Sequence, residues 1–135
     1  MTKTTNILNW CARLLAAGIL LQTLFFKFTA AEESVYIFTT VGIEPWGRIL
    51  IGGLELVAVV LLLITPLAWL GAGLALGLMA GAIGMHLTIL GIEVMDDGGY
   101  LFLLALAVTL CSIYVLVNNR AKIEMLLSSF RRKPN

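Results

Sequence analysis

Charge is scarce in this chain. Asp, Glu, Lys and Arg make up 13% of its 135 residues and hydrophobic residues 60%, a balance too apolar for a soluble domain of this length. The two cysteines, Cys11 and Cys111, form no Cys-x-x-Cys pair. They read as small packing residues, and dithiol exchange, which needs an accessible pair of thiols, finds none. The single histidine, His86, has no second histidine to pair with and only scattered carboxylates around it, which argues against a zinc or copper site. Asp96-Asp97-Gly98-Gly99 lacks the alternating oxygen ligands and closing Glu of a calcium loop. No phosphate-cradling loop, haem-attachment motif or nucleophile triad occurs, and nothing points to nucleic acid.

What the chain does have is long apolar runs. A membrane-crossing helix needs roughly 20 mostly apolar residues, and segments at about 7–28, 49–65, 67–91 and 99–117 approach that length. The expected fold is all-α, a single domain over 1–135: a polytopic membrane four-helix bundle. The first segment has the basic start of a secretory signal, and Phe28-Thr29-Ala30-Ala31 resembles a cleavage site. Three further spans follow, however, and Lys27 closes the apolar run, so it reads as a span. Orientation follows the Lys/Arg bias. Lys3 lies before the first span, and Arg120, Lys122, Arg131, Arg132 and Lys133 lie in the tail 118–135. Both termini are therefore expected in the cytoplasm. The acid-rich loops holding Glu32, Glu33, Glu44, Glu93, Asp96 and Asp97 fall outside. Trp10 and Trp69 then mark the inner interface, Trp46 and Tyr100 the outer one.

Shorter features fill the connections. Val35, Ile37, Phe38 and Val41 are too apolar for a free loop. With Glu32-Glu33-Ser34 before them and Gly42 after, they predict a short helix on the outer surface. Pro45 suits the first turn of the second span. Gly73, Gly77 and Gly81 recur every four residues and predict close helix approach on that face of the third span. Ile123, Leu126, Leu127 and Phe130 share one helical face flanked by cations, an amphipathic helix on the cytoplasmic leaflet.

Polar residues inside apolar spans carry the functional argument, because an ionised carboxylate facing lipid costs about 2.5 kcal/mol or more. Arg13 is expected to snorkel back to the cytoplasmic surface as an anchor. Glu55 must face the bundle interior and either pair or hold its proton. It lies roughly 13 Å from the outer interface, and His86 roughly 8 Å from the outer end of its span. The two together predict an outer-facing polar pocket with Glu55 at its floor and His86 on its wall. Lys27, Arg48, Glu33, Glu93 and Asp97 are the candidates for its rim. A plain helix-locking Glu–His contact is the alternative.

At these residues the chain resembles the DoxX family of small bacterial four-helix membrane proteins. The matching pieces are Lys27-Phe28-Thr29, Glu32-Glu33-Ser34-Val35, Gly42-Ile43-Glu44-Pro45-Trp46-Gly47-Arg48 and Glu55-Leu56. Gly81-Ala82-Ile83, His86-Leu87-Thr88, Leu90-Gly91-Ile92-Glu93-Val94, Asp97-Gly98-Gly99 and Leu101-Phe102 complete them. The resemblance implies the fold, a bacterial inner-membrane location and a link to quinone-dependent or oxidative-stress redox systems. On that basis the chain is expected to be an accessory component, not a stand-alone enzyme, binding a quinone-like or lipidic ligand. Glu55 and His86 would exchange protons with its head group. No redox cofactor motif is present, so electrons would come from a redox protein partner or from the ligand. A homo-oligomer is a further expected partner. The alternatives are a small proton-coupled transporter, or a membrane scaffold acting through the glycine face.

Overall fold

The computed structural model describes residues 2–132, so Lys133 lies outside the described residues. Within them every regular element is helical. The helices are α1 (Lys3–Phe28), α2 (Glu32–Val41), α3 (Trp46–Leu63), α4 (Ala68–Met85), α5 (Tyr100–Asn118) and α6 (Arg120–Arg131). Four of them, α1, α3, α4 with its extension, and α5, are long and apolar enough to cross a membrane. They coincide with the four segments expected from the sequence.

Local chemistry sets the boundaries. Thr2 caps α1, its hydroxyl accepting from the Thr5 amide at 3.2 Å. Glu32 and Glu33 sit in the first turn of α2, where the helix dipole favours anions, and Gly42 stops it in a left-handed conformation at φ 90°. Pro66 lies in the one-turn 3-10 link Thr65–Leu67, which folds α4 back against α3. Past Met85 the α4 ladder widens into a π-helical turn over His86–Leu90, ended by Gly91 at φ 80°. Such turns are rare and occur often at functional sites.

The four long helices close a ring: α1 packs on α3 and α5, and α4 packs on the same two. Small residues let them approach, with Ala16, Ala58, Ala72 and Ala75 fully buried beside Leu20, Leu62, Val108 and Val115. α2 lies across one end of the ring, touching α1, α3 and the π-helical turn. α6 leaves the other end with no buried residue. The Lys122 ammonium donates to the Pro66 carbonyl at 2.6 Å and ties α6 to the α3–α4 link.

Two sequence readings change. Arg13 does not snorkel. It is fully buried, its Nε donates to the Leu62 carbonyl, and its guanidinium lies 3.7 Å over the Trp10 ring. The last turn of a helix leaves carbonyls without intrahelical partners, and Arg13 satisfies one for α3. The close approach of α4 is also not at Gly73, Gly77 and Gly81, where an added Cβ would meet nothing within 4 Å. It is at Gly71, where a Cβ would lie 2.6 Å from the Leu62 amide nitrogen and 2.9 Å from the Ala58 carbonyl oxygen. The alanine face of α4 took the core, and the glycine repeat was left turned away from it.

Gly71→Ala is therefore expected to lower thermal stability in detergent by about 1–3 kcal/mol, since backbone blocks the added methyl. Gly73→Ala should not lower it. Thermal unfolding of both variants beside the wild type checks the contrast.

Candidate functional site

A cavity of about 410 Å³ lies inside the ring at the end covered by α2. Its walls are mainly aliphatic, and its polar groups are few: Thr23 and Lys27 from α1, Glu33 and Ser34 from α2, Glu55 from α3 and His86 from the π-helical turn after α4. Apolar pockets with a small number of placed polar groups are the usual form of small-molecule sites.

Glu55 is 2% exposed, the most enclosed acid in the structure among the described residues. Its Oε1 lies 3.1 Å from the Lys27 Nζ. The Thr23 hydroxyl shares its proton between Glu55 Oε2 at 3.3 Å and the Leu20 carbonyl at 3.0 Å. Thr23 and Lys27 are one helical turn apart, so α1 presents both to the same acid. Lys27 sits in the last turn of α1, where the dipole favours a cation.

His86 opens the π-helical turn and is 5% exposed. Its Nδ1 is 2.8 Å from the Gly91 carbonyl oxygen. A carbonyl only accepts, so Nδ1 carries a proton in this contact, and in the neutral ring Nε2 remains as an acceptor. Nε2 has no protein partner among the described residues. The edge of the ring packs on Phe102, centroids 5.6 Å apart.

Of the seven candidates, Lys27, Glu33, Glu55 and His86 come together around the cavity, while Arg48, Glu93 and Asp97 do not line it. Those three shape its frame. The Arg48 guanidinium donates to Glu44 at 2.9 and 3.1 Å and to the Lys27 carbonyl, fixing the start of α3 to the end of α1. Asp97 accepts from the amides of Val94, Gly99 and Leu101 at 3.0, 2.8 and 3.2 Å. Glu93 accepts from the Gly98 amide at 3.2 Å. Together they knit the loop whose Gly91 carbonyl orients His86. Burial raises the Asp97 carboxyl, but the amides of Val94, Leu101 and Gly99 and the nearby His86 outweigh it and hold it below its ordinary range. Burial, and then the charge of Asp97, push Glu33 the other way, above the usual carboxylate range. Glu33 Oε1 is enclosed without a hydrogen-bond partner.

Thr23 and Ser34 were not anticipated. The signal for Thr23 was available: a polar residue four before Lys27 in an otherwise apolar helix shares its face. Ser34 reads from the sequence only as part of the start of α2.

The arrangement offers a cationic donor, a nitrogen acceptor and two carboxylates at one end of an apolar chamber. Among the described residues no three His, Cys, Asp or Glu side chains are grouped to hold a metal ion. Comparison with family models, curated proteins and solved structures gives no match for this chain.

The Lys27–Glu55 pair makes a specific prediction, because removing one partner of a buried pair leaves the other uncompensated. Lys27→Met should cost about 3 kcal/mol, since Glu55 is 2% exposed and would lose its cation. Glu55→Gln should cost much less, because Lys27 is near the end of its helix. Adding Glu55→Gln to Lys27→Met should recover most of the loss. Thermal denaturation of the two single variants and the double variant measures the coupling.

Proposed function

We propose that the chain is an integral inner-membrane protein of DoxX type. Its cavity binds the polar head of a quinone-like or other lipid-soluble ligand, as an accessory component of a membrane redox or oxidative-stress system. The observation that carries the reading is the Lys27–Glu55 ion pair placed with the unpartnered His86 Nε2 on a single apolar cavity. A ring carbonyl or hydroxyl finds both a donor and an acceptor there. An intramembrane ionisable residue marks a functional site by default, since its cost is otherwise uncompensated.

A bilayer location is supported by the outer surface of the four long helices. Leu14, Leu15, Phe25, Leu50, Val60, Leu103 and Leu110 are all exposed on it. Soluble monomers rarely expose a contiguous apolar area of this kind. Cytoplasmic termini are supported by the cations of α6 and its unpartnered apolar face, where Leu126, Leu127 and Phe130 are 37%, 55% and 83% exposed. That combination suits an interfacial helix on an anionic leaflet. The α2 end is then the outer one, and the ligand head sits in the outer half of the membrane.

The test is mass spectrometry of organic extracts from protein purified in nanodiscs of native membrane, with Glu55→Gln and His86→Ala alongside. A quinone or other defined lipid should be retained by the wild type and lost in both variants. Equal, generic lipid in all three would leave Glu55 and His86 as helix-locking residues and end the ligand reading.

A further inference from the structure

Gly77 and Gly81 border the cavity, although α4 turns them away from it. At 3.6 residues per turn, Gly77 points about 180° and Gly81 about 140° from His86. Both are exposed. Residues on nearly opposite faces of one helix can border one cavity only if it passes out of the ring beside that helix. The side is fixed by Leu78 and Met85, which also border it. Both project within about 40° of Gly71, the residue that meets α3. Ile51 faces them from α3. The α3–α4 contact is therefore pinched shut at Gly71, near the tight link, and parted at the α2 end.

We infer that this gap between α3 and α4, walled by Gly77, Gly81, Met85 and Ile51, is a lateral slot through which the tail of a single-chain amphiphile passes while its head occupies the site at Lys27, Glu55 and His86. The inference rests on the cavity being a ligand site. The slot faces what would be the hydrocarbon core, its walls are apolar, and it leads to a histidine and a glutamate that are each more than nine-tenths buried. A tail in such a slot need not leave the lipid, so the slot adds little affinity of its own. What it decides is which ligands fit. A head group alone can enter beneath α2, whereas a head group on a long chain needs the slot open. The occupant class is thus a polar ring or similar head on one flexible chain.

A side chain added at Gly77 would project about 120° from the Gly71 direction, away from α3, whereas Gly81 stands at the lip of the slot, about 80° from it. Leu in place of Gly81 would crowd the slot, and no atom lies within 4 Å of the added Cβ, so the variant should fold. Gly73→Leu is the control, since Gly73 shares the open face but does not border the cavity. The probes are a dimethoxy-methyl-benzoquinone bearing a decyl chain and the same ring without the chain. Ligand retained per protein in nanodiscs is quantified by mass spectrometry after gel filtration. Gly81→Leu should lower retention of the decyl compound about tenfold, leave the chainless ring unchanged, and differ in this from Gly73→Leu, which should alter neither. Unchanged decyl retention in Gly81→Leu would overturn the inference. So would loss of both probes, or an equal effect of Gly73→Leu. A shift in oligomeric state on Gly81→Leu would also overturn it, assigning the glycine face to a second copy of the chain. If the wild type retains neither probe, the ligand site itself falls; the slot fails alone only when wild-type retention is intact.

Discussion

A carboxylate sealed among aliphatic side chains must be compensated, and the α2 end of this molecule is organised by that requirement. Glu55 finds its cation in the last turn of α1 and a hydroxyl one turn earlier on the same face. Lys27 can reach inward only because α1 ends there. The end of α1 is in turn held by Arg48, which grips the Lys27 carbonyl and Glu44 at once. A neutral ion pair at the floor of the cavity lets the rest of the chamber stay apolar without an isolated charge.

The same end is closed by elements with little core of their own. α2 buries only Ser34 and Phe38, and the loop after the π-helical turn relies on Asp97 gathering three amides. Opposed shifts at Glu33 and Asp97 show two acids sharing a small region in which one is well solvated by amides and the other is not. Rigid helices therefore hold the ion pair and the histidine, while lighter elements cover them. That division suits a site that must admit a ligand without disturbing the bundle.

The four long helices were legible in the sequence because each is a nearly unbroken apolar run, and α2 because acids and Gly42 bracket an apolar stretch. Glu55 and His86 stood out because a charged or titratable residue in such a run is costly enough to need a reason. Other features were not legible, since they depend on which helix face meets which neighbour. The glycine repeat of α4 looked like a contact face by spacing alone, yet alanines at neighbouring registers make the contact. Arg13 looked like a surface anchor by depth alone, yet the carbonyl of Leu62 and the ring of Trp10 hold it inside. The rim candidates follow from depth alone, since all five lie at the outer ends of spans or in the loops between them. Only Glu33 and Lys27 among them border the cavity, because Arg48, Glu93 and Asp97 are engaged by backbone groups and Glu44.

The central claim is that His86 Nε2 is the open acceptor of a ligand site. With one histidine in the chain, nitrogen NMR of protein labelled at histidine reports on that ring alone. The spectrum is recorded in nanodiscs with and without a decyl-chain benzoquinol. The account predicts that the Nε2 resonance moves on ligand addition while Nδ1, bonded to the Gly91 carbonyl, stays in place. An Nε2 resonance that is indifferent to saturating ligand would contradict it.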